Sequence, residues 1–217
     1  MKAAIRIPVT VKTRLGIDDQ DSYPELHAFT AAVAEAGVDA LIVHARKAWL
    51  KGLSPKENRE VPPLRYDWVQ QLKGDFPSLP IIVNGGIISL DQTLELLDPL
   101  DGVMIGRGIY QNPWLLAAAD LSIFGDPHPI PDRQQILESY IPYVECQMRQ
   151  GVPLQAMTRH ILDLFQGQAG AKHWRRTLSE NVHLPNANSS LLIRAMPPRQ
   201  GPLVSAPDLE DSGACID

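Results

Sequence analysis

The first 120 residues of the chain alternate between short apolar runs and stretches of helical periodicity. Four of the apolar runs have the length and makeup of strands buried in a parallel sheet. Each is followed by a segment in which apolar residues recur at helical spacing. This alternation predicts four βα units around a parallel sheet. The predicted strands are Pro8–Lys12, Ala40–His44, Pro80–Asn84 and Asp101–Arg107.

Capping patterns indicate where the helices of this region begin. Ser22 with Glu25, and Ser89 with Gln92, have the spacing of a capping box. Asp67 is expected to cap a further helix. The predicted helices run from Ser22 to about Ala36, where Gly37 ends the helix, from Trp68 to Lys73, from Ser89 to about Leu97, and from about Asn112 to Ala119.

The strand pattern stops at a proline-rich linker, Asp126–Pro131, and only helical patterns follow it. These patterns predict a small helical bundle. We therefore divide the chain into an α/β domain at residues 1–125, a helical domain at residues 132–196, and a tail at residues 197–217 that lacks periodicity and is predicted to be disordered. The helices predicted in the second domain are Gln134–Arg149, Leu154–Gln166, Ala171–Leu178 and Ser189–Met196.

Charge is unevenly distributed along the 217 residues. The net charge is −5, which alone argues against a general nucleic-acid binder. Residues 149–199, however, carry seven Lys or Arg against only Asp163 and Glu180. That basic segment is compatible with a polyanionic partner.

Cysteines and apolar runs limit the class of protein. Cys146 and Cys215 lie far apart with no metal-ligand spacing, so we predict neither a disulfide framework nor a metal site. The first residues are too short and too charged for a signal peptide, and no run of about 18 apolar residues exists. We expect a cytoplasmic protein with no membrane role.

Polar residues and glycines follow the predicted strands at corresponding places. Lys12, His44, Asn84 and Gly106 fall at the carboxyl ends of four successive strands, so a parallel sheet would bring them to one rim. Ligands of α/β proteins bind at that rim. A lone Lys is more often a surface residue and a lone His more often structural, but the shared position favours a site.

Two glycine turns also follow strands. Gly85 and Gly86 come after the third strand, and Gly106 and Gly108 flank Arg107 after the fourth. A single such turn is best interpreted as a tight turn. Two in succession favour a phosphate site, because glycine exposes backbone N–H groups and Arg can bind phosphate with two nitrogens.

The loop Arg46–Glu60 and the pair Arg175 and Arg176 have two interpretations each. The loop is a solvated connection or a binding element, and its length and Trp49 favour binding. The arginine pair is a solvated helix face or a phosphate contact. Its place in the basic segment favours phosphate.

Together these motifs resemble the tRNA-dihydrouridine synthase family, and the loop from His44 to Glu60 resembles its bacterial A subfamily. The resemblance runs from about Ile7 to Asn181; its loop is specific, whereas its glycine turns are not. The motifs that carry it are Val11–Arg14, His44–Leu50, Gly52–Glu60, Asn84–Ile87, Asp101–Arg107 and Trp174–Arg176.

The resemblance implies an α/β fold that is the C-terminal half of a (β/α)8 TIM barrel, followed by a small all-α domain that binds tRNA. It also implies FMN as cofactor and NADPH as reductant in the reduction of uridines in the tRNA D-loop. We expect a monomer. The cofactor-binding residues it implies are Lys12, His44, Asn84, Gly85, Gly86, Gly106 and Arg107. Its candidates for tRNA contact are Glu57, Glu60, His173 and Arg176.

One departure from the family is large. Only four of eight βα units precede the helical domain, and the absent half carries the family's catalytic cysteine. Cys146 and Cys215 match no such position, so we assign no catalytic residue. The chain is interpreted as a fragment or early-truncated reading frame that is inactive alone.

Three functions are compatible with the sequence. The first is the C-terminal part of a flavin-dependent tRNA-uridine reductase, and the second is a non-catalytic tRNA-binding remnant. The third is another FMN-dependent TIM-barrel oxidoreductase that acts on a small molecule, such as a dihydroorotate oxidase relative. The charged loop and the basic segment argue against the third, because a small substrate requires neither.

Overall fold

The computed structural model describes residues 2–199 of the chain. Their centre is a sheet of four parallel strands in the order β1-β2-β3-β4. The predicted parallel α/β architecture is thereby confirmed. The strands are β1 (Thr10–Arg14), β2 (Ala40–His44), β3 (Ile81–Asn84) and β4 (Gly102–Met104).

Helices connect the strands and make up nearly all regular structure after β4. Two short 3-10 helices, Lys2–Ala4 and Glu57–Arg59, lie before β1 and in the loop after β2, and a third, Pro113–Ala118, lies between α4 and α5. The α-helices are α1 (Tyr23–Glu35), α2 (Tyr66–Asp75), α3 (Leu90–Leu97), α4 (Arg107–Gln111), α5 (Ala119–Phe124), α6 (Arg133–Arg149), α7 (Leu154–Thr158), α8 (Ala171–Asn181) and α9 (Ser190–Ala195).

The capping pattern predicted the start of α1 correctly. The carboxylate of Glu25 accepts hydrogen bonds from the backbone N–H of Ser22 at 3.0 Å and from its hydroxyl at 2.7 Å. Gly37 follows the helix with φ +77°, a left-handed conformation that favours glycine. The expected cap at Asp67 was wrong, because α2 already begins at Tyr66 and the Asp67 carboxylate instead pairs with Arg65.

Two further helix predictions and the prediction for the fourth strand also differ from the structure. The helix expected from Leu154 to Gln166 ends at Thr158, and turns follow it. The fully buried Phe165 packs edge-on against Trp174 in those turns, so tertiary packing overrides the helical pattern. The helix expected over residues 112–119 is a 3-10 helix from Pro113. The strand expected to reach Arg107 ends at Met104, and Arg107 begins α4.

Buried apolar residues form two clusters. One cluster contains Leu41, Val43, Ile81 and Val83 on one face of the sheet, together with residues of α1, α2 and α3. The other lies among α6 to α9 around the fully buried Trp174. The division into two domains stays a prediction, as does the tail, of which residues 200–217 lie outside the described residues.

The opposite face of the sheet carries the polar side chains. Successive strand residues point to opposite faces, so Lys12 and Arg14 share a face with His44 and Asn84. Arg14, His44 and Asn84 are also neighbours across the strands, because the register pairs Arg14 with His44 and His44 with Asn84. These polar side chains thus lie on the face opposite the buried cluster, a face that also carries Ile42 and Ile82.

Candidate functional site

A cleft of about 720 Å³ lies at the carboxyl ends of the strands. Its wall includes residues from β1, β2, β3 and the loops after β2, β3 and β4. The structure brings all seven residues predicted to bind a cofactor to this one cleft. They are Lys12, His44, Asn84, Gly85, Gly86, Gly106 and Arg107.

Lys12 reaches the cleft from a different place than expected. It lies in the middle of β1, because that strand continues to Arg14, so the prediction that it ends the strand was wrong. Its Nζ donates a hydrogen bond to Asn84 Oδ1 at 3.0 Å. Asn84 Nδ2 in turn donates to the carbonyl of Met104 at 2.8 Å. These bonds cross the floor of the cleft and fix the Lys12 ammonium there.

His44 is a titratable side chain of the cleft that is held in its uncharged form. Burial, and then the positive charges of Arg14, Lys12, Arg46 and Arg107, lower the pKa of its imidazole from 6.5 to about 4. The ring is therefore uncharged near pH 7. Its buried Nδ1 has no hydrogen-bond partner within residues 2–199. A buried polar atom of this kind is expected to be satisfied by a ligand or by water.

The Gly85–Gly86 turn lies against the His44 ring. Both glycines have positive φ, +117° and +70°. A Cβ at Gly85 would lie 3.0 Å from His44 Cε1, and one at Gly86 would lie 2.6 Å from Leu64 Cδ1. Among the described residues, the N–H groups of these glycines and of Gly106 donate no hydrogen bond. The turn therefore requires glycine and leaves N–H groups open to an acceptor.

Three further cations surround the cleft, and sequence reasoning gave them no role in it. Arg14 and Arg59 line it, and Arg46 lies near enough for its charge to lower the pKa of His44. Arg14 Nη1 donates to the carbonyls of Lys47 and Asn58, each at 2.8 Å. Burial, and then Arg59 and Arg46, lower the pKa of Arg14. The alternation Lys12, Arg14 in β1 was the available signal, because period-two spacing puts both on one face.

Arg107 stands at the rim of the cleft and has two partners there. Its Nη1 pairs with Glu60 Oε1 at 2.7 Å, and its Nη2 donates to the carbonyl of Arg59 at 3.2 Å. Glu60, predicted to contact tRNA, thus lines the cleft wall. An anion bound by Arg107 would compete with this carboxylate.

The loop after β2 is folded on itself. Asn58 accepts a hydrogen bond from the backbone N–H of Trp49 and donates one to its carbonyl, both at 2.7 Å. Glu57, another predicted tRNA contact, accepts from the backbone N–H of Ser54 at 2.8 Å. These contacts favour a defined surface over a loose solvated connection, and the RNA role of Glu57 stays a prediction.

Helix α8 presents the other predicted RNA contacts. His173 and Arg176 are exposed, three residues apart, whereas Trp174 and Leu178 are fully buried. Arg176 pairs with Glu180 at 2.9 Å, and Arg175 pairs with Asp163 at 3.1 Å. The helix is thus anchored on one side and basic on the other.

The remaining sequence predictions concern cysteine, metal and membrane. Cys146 lies on α6 and does not line the cleft. In the part of the chain that the structure describes, no group of three or more His, Cys, Asp or Glu is placed to hold a metal ion. No helix between residues 2 and 199 is long and apolar enough to span a bilayer.

A parallel sheet with polar side chains and glycine turns at its strand ends defines a member of the α/β class. More specifically, the family model described as "Dihydrouridine synthase (Dus)" matches residues 1–196. The chain belongs to this family.

Individual relatives carry one name. The proteins called "tRNA-dihydrouridine(20/20a) synthase" from Vibrio cholerae, Shewanella oneidensis and Synechocystis are 54%, 50% and 50% identical to this chain and cover 90%, 94% and 93% of it. The chain spans 60%, 61% and 60% of their lengths. A solved structure of DHDPS from Cyanidioschyzon merolae with lysine bound covers 86% of this chain, and 73% of that structure's chain is matched, at 17% identity. Its TM-score of 0.33 supports no further argument.

Proposed function

We propose that this chain is the flavin-binding and tRNA-contacting part of an FMN-dependent tRNA-dihydrouridine synthase that uses NADPH as reductant. The observation that carries the proposal is the convergence of all seven predicted cofactor residues on one cationic cleft. Family membership and the relatives' name support it. The substrate uridines proposed are those that the name specifies, 20 and 20a.

The four βα units are proposed to be half of a (β/α)8 barrel, with α6 to α9 as a separate all-α domain. Two observations support this. The buried residues of β2 and β3 lie on one face of the sheet and cluster with residues of α1, α2 and α3, and a second apolar cluster lies among α6 to α9. In such barrels the ligand site lies at the carboxyl ends of the strands, where the cleft is found.

The residues of the cleft fit a flavin mononucleotide. The open N–H groups of Gly85, Gly86 and Gly106 and the guanidinium of Arg107 would hold its phosphate end. Lys12 and the imidazole of His44, which both line the cleft, would face its ring system. A bound flavin would supply hydride-transfer chemistry, which no side chain of the cleft offers.

The protein's own groups set the electrostatics of the cleft. His44 is uncharged near pH 7 and adds a hydrogen-bonding group without adding charge. Lys12, Arg14, Arg46, Arg59 and Arg107 surround it with positive charge that Glu60 only partly offsets. A net-positive cleft favours phosphate-bearing ligands over neutral ones.

The RNA surface is proposed to comprise the loop after β2 and α8, with Glu57, Glu60, His173 and Arg176 as contacts. A uridine stacked in an RNA helix cannot reach the cleft, so the target base must leave its stack. No proton-donating catalytic residue is assigned among residues 2–199, because Cys146, the cysteine they contain, lies outside the cleft.

Two titrations of the purified chain test the proposal. Flavin fluorescence followed during addition of FMN is expected to saturate. A gel shift with unmodified tRNA is expected to weaken steeply between low and high salt, because phosphate contacts release counterions. Binding of FMN without tRNA would favour an oxidoreductase acting on a small molecule, and binding of tRNA without FMN would favour a non-catalytic remnant.

The assignment of no catalytic residue has its own test. Incubation of the chain with FMN, NADPH and unmodified tRNA is expected to yield no dihydrouridine by mass spectrometry of the digested RNA. Robust product formation would overturn that assignment and leave the flavin site in place.

A further inference from the structure

Tyr66 lies behind the cleft and contacts the turn that supports it. It is the first residue of α2, half-buried against the apolar cluster on the sheet. Its hydroxyl donates a hydrogen bond to the carbonyl of Gly85 at 2.5 Å. Tyr66 itself does not line the cleft, so its effect on a ligand there would be indirect.

The carbonyl that Tyr66 holds belongs to the residue under the His44 ring. A Cβ at Gly85 would lie 3.0 to 3.3 Å from three atoms of that ring, so ring and backbone are in close packing. Gly85 also has φ +117°, a conformation held by its surroundings. A rotation of this peptide would therefore shift the backbone against which the His44 ring packs.

The same hydroxyl connects to the rest of the β3–α3 loop. Gln92 Nε2 lies 3.5 Å from Tyr66 Oη, and Gln92 Oε1 accepts from the backbone N–H of Ile88 at 3.1 Å. A Cβ at Gly86 would lie 3.3 Å from the Tyr66 hydroxyl, so a larger residue at that position would crowd it. Tyr66 thus connects the start of α2, the glycine turn and the start of α3.

We propose that Tyr66 is a positioning residue: its hydrogen bond to Gly85 fixes the glycine turn, and the turn fixes the His44 ring toward the ligand of the cleft. The inference rests on the proposed function for the identity of that ligand. The contacts from Tyr66 to Gly85 and from Gly85 to His44 carry it independently of the ligand. A phenylalanine in place of Tyr66 would keep the aromatic ring but would leave the carbonyl of Gly85 without this hydrogen-bond donor.

The test is Tyr66→Phe, with Tyr23→Phe as a matched control. The Tyr23 hydroxyl also donates a 2.5 Å hydrogen bond, to Asp75 Oδ2, and Tyr23 does not line the cleft. Loss of one hydrogen bond predicts that Tyr66→Phe weakens FMN binding about five- to tenfold. Tyr23→Phe should leave FMN affinity within about twofold.

A measurement without flavin separates this inference from the proposed function. The ring of His44 is followed by NMR during a pH titration of the flavin-free protein. Tyr66→Phe is expected to shift the Cε1 resonance and to raise the pKa of His44 from about 4 toward 6.5, because a looser turn lets water reach the ring. Tyr23→Phe should change neither.

The outcomes are distinct. If the wild type binds no FMN, the proposed function fails, and the His44 resonance still decides the role of Tyr66. If Tyr66→Phe matches the wild type in the His44 titration, and in FMN affinity where FMN binds, the positioning role is overturned. Equal effects of the two phenylalanine variants on His44 would also overturn it, because general loss of stability would then explain both.

Discussion

The cations of the cleft and those of α8 are held in different ways. Arg14 and Arg46 are half-buried and donate to main-chain carbonyls, those of Lys47 and Asn58 for Arg14 and that of Pro62 for Arg46. On α8, Arg176 is exposed over 73% of its side chain and pairs with a carboxylate on its own helix. Main-chain carbonyls therefore fix Arg14 and Arg46 beside the cleft, whereas Arg176 lies largely in solvent.

The difference indicates two kinds of recognition. Fixed, partly desolvated cations with open backbone N–H groups favour a compact anion of defined shape. Exposed cations act mainly through their charge, and salt screens them. The cleft is therefore expected to select its ligand by geometry, and α8 to bind a polyanion with strong dependence on salt.

The largest predicted effect concerns Arg107 at the rim of the cleft. Arg107→Ala would remove the proposed charge-assisted contact to phosphate, so FMN affinity should fall about 10- to 100-fold. Fluorescence titration measures it. Arg176→Ala serves as the control and should leave FMN affinity unchanged. A loss of similar size in both variants would erase the distinction between the two regions.

The next effect concerns tRNA. Arg176→Glu should weaken tRNA binding about tenfold at low salt and lower the salt slope of the affinity by about one, because one phosphate contact is lost. Gel shifts at several salt concentrations measure both. Arg194→Glu, an equal charge change on α9, is the control. Unchanged tRNA affinity in Arg176→Glu would remove this residue from the RNA surface.

The third prediction concerns how the free energy of unfolding depends on pH through His44. The folded protein keeps His44 neutral down to about pH 4, whereas the unfolded chain binds a proton below 6.5. The free energy of unfolding should therefore fall as pH drops from 6.5 toward 4, by about 1 kcal/mol at pH 5 after allowance for the partial exposure of the ring.

Urea unfolding at several pH values compares the wild type with His44→Gln. The variant should lose less stability between pH 6.5 and 4, because it lacks the titrating imidazole. The other titratable groups contribute equally to both proteins. Parallel pH profiles would contradict the neutral, buried state of His44.

The smallest predicted effect is an increase in FMN affinity. Glu60→Gln removes the carboxylate that pairs with Arg107 at 2.7 Å, so FMN should bind about threefold more tightly, as expected for an exposed ion pair. Glu57→Gln, in the same loop but hydrogen-bonded to Ser54, should leave FMN affinity unchanged. Weaker FMN binding in Glu60→Gln would show that Glu60 supports the site instead of competing for it.

Sequence patterns predicted the places of the cleft residues in the fold where local rules decide the structure. The strand ending at His44 and the turn at Gly85–Gly86 follow from apolar runs and glycine punctuation, and parallel pairing brings strand ends together. The α7 boundary was wrong because Phe165 is buried by tertiary packing. A period-two reading of β1 could have included Arg14.

Contacts between residues far apart in the chain could not be predicted from local sequence patterns. The pairing of Glu60 with Arg107 joins residues 47 positions apart, and Tyr66 reaches Gly85 across 19. Neither has a signature in the sequence near it, because both depend on how separate loops pack. The tRNA contact that the family resemblance implies for Glu60 stays a prediction, and its place in the wall of the cleft became visible only in the structure.

The strand-end cleft is proposed to hold a flavin by its phosphate end. Titration of the purified wild-type chain with FMN and with riboflavin tests it most directly, because the two differ by the phosphate alone. We expect saturable FMN binding and riboflavin binding at least about tenfold weaker. Equal affinity for the two, or no binding of FMN, would contradict it.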